Sequence, residues 1–171
     1  KPIVRREHLV GQRLSAYLLA KVTVLLPFLL LVDVLMLAVL RALDRLPSAS
    51  LSTYASLGVA LALDAAAALT LGLLTSAGVS NPAQATLALP MLCFPAVLFS
   101  GAAISAVVPV RWAFESLGHD LGVRDLLANG GSPLGPPLLR AYGDAGTASH
   151  FTYWLYLAAF VAVFFAGAWL L

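Results

Sequence analysis

The chain is short of charge and nearly free of cysteine. Only 11% of its 171 residues are Asp, Glu, Lys or Arg, against about 25% in soluble domains. Sixty-one per cent are hydrophobic, and the mean hydropathy is +0.93. So little polar surface cannot cover a globule in water, which makes the bilayer the solvent that fits. The single cysteine, Cys93, excludes an internal disulfide and a cysteine-based metal site. A net charge of +2, with basic residues not gathered along one face, argues against nucleic acid as a partner. No Gly-x-x-x-x-Gly-Lys-[Ser/Thr] loop occurs, so this chain binds no ATP through a P-loop. His8, His119 and His150 stand far apart, without a His-x-x-x-His or Glu-x-x-His pair, and no metal site is expected. Ser100 lacks a base at recognisable spacing, so a serine hydrolase is not expected either. The chain opens on Lys1-Pro2-Ile3-Val4 rather than Met, and its last apolar run reaches Leu171 with no polar stop. That start does not read as a signal peptide, and the expectation is a piece of a longer polypeptide.

What is present is long apolar runs. A helical span needs about 20 mostly apolar residues to cross roughly 30 Å of hydrocarbon. Four segments qualify: 22–40, broken by Thr23, Pro27 and Asp33; 52–76, with Asp64 at its centre; 83–104, with Pro90 and Pro95; and 151–171, without charge. Helices apolar all round for this length are seldom soluble. Residues 41–50 form a short polar turn, and 77–82 a shorter one with Asn-Pro as its breaker. Residues 105–150 are long and mixed. Their first half has helical spacing with Trp112 and Phe114 among charges, and their second half is dense in Gly and Pro and reads as irregular loop. Phe151, Tyr153, Trp154 and Tyr156 cluster at the start of the last span, as an interfacial aromatic belt would. No internal repeat is visible.

The opening stretch "RREHLVGQRLSAYLLAKVTVLLP" is amphipathic. Arg5, Arg6, Glu7, Gln12 and Arg13 supply a polar face, and Leu9, Val10, Leu14, Tyr17 and Leu18 an apolar one. Such a helix lies on a membrane surface or presses on a soluble partner, with Lys21 snorkelling to the interface. The residues alone leave surface anchor and partner contact open. Four spans put both chain ends on one side. Lys1, Arg5, Arg6, Arg13 and Lys21 lie there, against Arg41, Arg45, Arg111, Arg124 and Arg140 opposite. The leader is the denser cluster, which favours a cytoplasmic start.

That basic leader, together with "FPAVLFSGAAISAVVP" and "VRWAFESL" two spans later, resembles the ABC-2-type membrane domain of ATP-binding-cassette exporters, in particular the G-type subfamily. The likeness covers nearly the whole chain, as the second half of such a domain. The Ala-rich composition is similar to the actinobacterial members that carry forkhead-associated domains. The resemblance implies an all-α integral membrane fold in a bacterial plasma (inner) membrane. Its parts are an amphipathic cytoplasmic coupling helix at 5–20, four transmembrane helices, and a partly helical, re-entrant external segment at 105–150 before the last span. It further implies that Arg5, Arg6, Glu7, Arg13 and Tyr17 contact a nucleotide-binding domain on the same or another chain, which holds ATP and Mg. This chain itself would bind no cofactor or metal and carry no catalytic residue. A second membrane domain, as a homodimer, and membrane lipid are the other implied partners. The implied function is the permease of an exporter moving a lipid-like or amphipathic substrate by alternating access. Three departures stand out: Ala102 and Ala103 replace a bulky apolar plug, "GHDLGVRDLL" replaces the family's basic-aromatic turn, and the last external loop has no cysteine.

Asp33 and Asp64 are costly in a span, at about 2.5–3.5 kcal/mol on insertion scales, so they face protein or water. They are candidates for a substrate path or proton relay, with a bonded structural pair as the alternative. Pro90 and Pro95 remove backbone donors, and the resulting kinks either form a gate beside Leu92, Phe94, Leu98 and Phe99 or shape packing. Ala60, Ala62 and Ala65–Ala68 permit close helix approach. Two other classes remain open on the residues alone: a secondary transporter, which calls for inverted repeats about a midplane site, and a membrane anchor or assembly subunit without a path.

Overall fold

A computed structural model of the chain describes residues 14–43, 50–79, 84, 86, 87, 90, 91, 94, 106, 108–130, 133, 135–141 and 147–170. Among these there are helices and no strands: α1 (Leu14–Ala42), α2 (Leu51–Gly78), α3 (Pro109–Asp120), α4 (Val123–Asn129), α5 (Gly135–Ala141) and α6 (His150–Leu170). Three helices are long and apolar enough to cross a membrane, over Ala16–Ala42, Leu51–Gly78 and His150–Leu170. The second and third match expected spans to within two residues, and the first begins six residues before the expected span 22–40. The expected span 83–104 lies mostly outside the described residues, although Gln84, Thr86, Leu87, Pro90, Met91 and Phe94 are each helical.

The sequence runs from the leader helix at 5–20 into the span at 22–40 without a turn signal, and from Leu14 onward the structure has one helix, α1, running through the join and past Pro27. Nothing between Leu14 and Ala42 supplies a stop: there is no Gly, and a single internal Pro kinks more often than it ends a membrane helix, because neighbouring groups take up the freed backbone. Ser50 caps α2, its hydroxyl accepting from the Thr53 amide at 3.4 Å. At about 1.5 Å per residue, the 28 residues of α2 measure roughly 42 Å.

The α2–α6 pair is the heart of the bundle. Leu57, Ala60, Ala67, Thr70 and Leu73 form the buried stripe of α2, and Tyr153, Leu157 and Ala168 that of α6. Ala60, Ala67 and Ala168 let backbones approach closely, the role small residues play between membrane helices. The Thr70 hydroxyl donates to its own helix, to the Ala66 and Ala67 carbonyls at 2.9 and 3.0 Å, and so costs nothing when buried. Leu18 near the start of α1 packs with Leu73 and Ala168 near the ends of α2 and α6, with Tyr17, Val22, Leu74 and Phe165 around them. At the opposite end, the Arg41 guanidinium lies 6.0 Å from the Tyr54 ring. Thus α1 is antiparallel to α2, and α2 and α6 are parallel. Outside these contacts α1 exposes Val24, Phe28, Leu31, Val34, Leu35 and Val39, a surface that suits lipid better than water.

The aromatic-belt expectation needs correction at one residue. Phe151 is exposed as expected, but Tyr153 is only 1% exposed. Its hydroxyl accepts from the Ala148 amide at 3.2 Å, and its ring belongs to the core. A second correction concerns the Gly/Pro-rich stretch read as loop, which contains α5. The prolines of "GPPLLRA" fall in the first turn, where a missing N–H is no loss and a fixed φ is already helical. Gly135 is required there, since a Cβ would run into the Leu127 carbonyl oxygen of α4.

Candidate functional site

The predicted site residues divide into three groups. Of the coupling residues, Tyr17 is described, while Arg5, Arg6, Glu7 and Arg13 lie outside the described residues. Tyr17 is half-buried against the Leu18–Leu73–Ala168 cluster, with the Lys21 ammonium 4.7 Å above its ring. A cation over an aromatic face is worth about 0.5–1 kcal/mol where exposed. Tyr17 therefore joins the beginning of α1 to the ends of α2 and α6. Of the gate candidates, Phe94 is helical and 68% exposed, and Leu92, Leu98 and Phe99 lie outside the described residues.

Asp33 and Asp64 come together. They sit on facing helices, near enough for their charges to interact. Oδ2 of Asp33 is closed off from solvent and has no hydrogen-bond partner. Asp64 falls between Ala60 and Ala67 at the spacing of the buried α2 stripe, which turns it into the bundle instead of towards lipid. One turn beyond Asp33, an open groove of about 310 Å³ between α1 and α2 is lined by Val34, Leu37, Ala38, Arg41 and Tyr54.

The sequence missed a third group. At the end where α2 and α6 begin, α3 lays one face on both of them. Pro109, Ala113, Ser116 and Asp120 follow each other at helical spacing, and Pro109, Ala113, Glu115 and Ser116 are buried. Trp112 stacks on Tyr156 with centroids 4.2 Å apart, and its Nε1 donates to the Ala106 carbonyl at 3.0 Å. Arg111 pairs with Glu115 at 2.7 Å along the same helix. The helix ends at Gly122, whose φ of 61° is left-handed. The Leu121 and Gly122 amides close on the Leu117 and His119 carbonyls. That stop sets Asp120 at the base of α6. Its carboxylate is 1% exposed, with Oδ1 2.6 Å from His150 Nδ1 and 4.0 Å from His119 Nδ1. Oδ2 accepts from the Ser56 hydroxyl at 2.7 Å. The two imidazoles meet edge to face at 4.3 Å. Thus His119 and His150, far apart in sequence, are neighbours in space. The only signal before folding was that His150 flanks a predicted span end and His119 lies in a stretch of helical spacing, which is too common to single them out.

No curated protein and no solved structure gives a significant match. The family model for ABC-2 type transporters matches residues 1–117. That segment contains α1, α2 and most of α3, and so the leader, the facing carboxyls and the start of the helix carrying Asp120. With three apolar helices of spanning length beside it, the chain belongs to the ABC-2 type transporter family, as an integral-membrane permease component of an ABC transporter, a kind of domain that typically pairs with ATP-binding partners.

Proposed function

We propose that this chain is the second half of the permease domain of an ATP-driven exporter of the G type, with a cytoplasmic leader that receives the stroke of a nucleotide-binding domain. The single observation that carries the proposal is the unbroken helix from Leu14 to Ala42. A helix is stiff along its axis, so displacement of its first turn, at Leu14–Tyr17, reaches Asp33 without loss at a hinge. ATP and Mg belong to the partner domain, in a bacterial inner membrane, and the forkhead-associated subtype is the narrower form of this reading. The exposed apolar face of α1 and the Asp33–Asp64 pair lie where a second copy of the chain would close a path. The cargo is amphipathic or lipid-like, because the groove beside Arg41 and Tyr54 is apolar with a polar end. Alternating access requires that cargo to bind the inward and outward states differently.

Topology supports a fourth span at 83–104. Near Gly78, α2 finishes beside the start of α1, whereas α3 begins at Pro109 against the starts of α2 and α6. A span at 83–104 is what would join these points across the bundle. Residues 105–150 then form the external segment, with α3 as its re-entrant part.

Charge reversal tests the lever directly. Arg6→Glu and Arg13→Glu should leave assembly intact while ATP hydrolysis proceeds without export in reconstituted vesicles. Unchanged export by both variants would remove the proposal. An anchor subunit would show no coupled transport in either form.

A further inference from the structure

We infer that Asp120, His119 and His150 form a binding site for a divalent transition cation of the zinc class, one that fastens α3 to the beginnings of α2 and α6. Three ligand-bearing side chains from two helices offer donor atoms that all lie within 4.8 Å of one another. The second, independent observation is the carboxylate itself. Asp120 is buried, yet its Oδ1 accepts no aligned hydrogen bond, although His150 Nδ1 stands 2.6 Å away. His119 Nδ1 is likewise buried without a hydrogen-bond partner. Two nitrogens and an oxygen therefore face a common point while bonding poorly to one another. An ordinary ion pair would align its N–H with the oxygen, because a buried polar atom left unpaired costs about 1–3 kcal/mol.

The distances suit a shared ion. Zinc sits about 2.0–2.2 Å from imidazole nitrogen and carboxylate oxygen, so ligands around a tetrahedral centre are about 3.3 Å apart. The observed 2.6 and 4.0 Å bracket that value, and side-chain rotations of about 0.7 Å at each atom equalise them. Ser56 is the supporting contact. Its hydroxyl holds Oδ2 at 2.7 Å and turns Oδ1 towards the imidazoles, as outer partners of metal ligands do. Half-exposed His119 and His150 leave a way in and a fourth position for water. Two imidazoles with one carboxylate favour zinc and its neighbours over Mg²⁺ or Ca²⁺, which prefer all-oxygen sets.

The test uses the nucleotide-free, full-length transporter stripped with chelator. Co²⁺ is titrated by its visible absorption and then displaced by Zn²⁺, and the zinc-loaded wild type is examined by X-ray absorption. Expected are one ion per chain lost in both His119→Gln and His150→Gln, a first shell of two imidazoles with oxygen donors, and a higher unfolding temperature with Zn²⁺ but not Mg²⁺. Ser56→Ala should weaken the affinity by about 10–100-fold. Absence of saturable Co²⁺ uptake by the wild type, wild-type uptake by either His variant, or a first shell without two imidazoles would each overturn the site. The shell is read on wild-type protein, so a variant that fails to fold leaves the answer intact. Transport coupling is not measured here, so failure of this site and failure of the lever are separate results.

Discussion

A carboxyl in the middle of an apolar helix is costly wherever it faces lipid, and Asp64 avoids this by lying in the α2 stripe between Ala60 and Ala67. Its neighbour across the α1–α2 interface is Asp33, so the pair puts two carboxyl groups where the proposed path runs. Asp64→Asn removes the ionisable group at constant shape. Transport of cationic cargo should fall relative to neutral cargo, with protein level unchanged, since neutralising a carboxyl at mid-span relieves up to about 2.5–3.5 kcal/mol on insertion scales. Uptake assays in vesicles with immunoblots of the same membranes check both halves. A lower protein level with normal transport per molecule would mark the pair as structural. Both aspartates were visible in the sequence as intramembrane charges. Their mutual approach was not, because it depends on the rotation of α1 against α2.

At the scale of elements, close approach of α2 and α6 rests on alanines. Ala67 has no exposed surface, and Ala67→Leu has no room to fill. It should destabilise the pair by about 1–3 kcal/mol, read as a lower unfolding temperature in detergent. The stop after α3 is the other sensitive point. Gly122 occupies left-handed space that costs a residue with a Cβ about 1–2 kcal/mol. Gly122→Ala should therefore lower stability by that amount and blunt the stabilisation by Zn²⁺, because Asp120 and His119 are placed by the turn. Thermal melts with and without the metal measure both effects. These element limits were partly legible beforehand. Apolar length located α2, α6 and the end of α1 to within two residues, whereas α5 was hidden because Gly and Pro density outweighed the fact that its prolines sit in a first turn.

For the whole molecule, the prediction is sidedness. With Cys93 replaced, a cysteine introduced at Lys1 and one at Arg124 should react with an impermeant thiol reagent from opposite sides of the membrane. Labelling of both from one side would contradict four spans and a cytoplasmic leader together. Composition by itself determined the solvent: with 11% charge and 61% hydrophobic residues, only a bilayer satisfies this chain, and backbone hydrogen bonding within a bilayer leaves an all-helical answer as the simplest one. The spacing of apolar runs also determined where three helices cross. Tertiary structure alone decided that Tyr153 faces the core, and that Ser56, His119, Asp120 and His150 meet. Helix periodicity is a local property carried by neighbouring residues, but contacts between residues 64 or 94 positions apart depend on how whole helices rotate and dock, which no short window of sequence encodes.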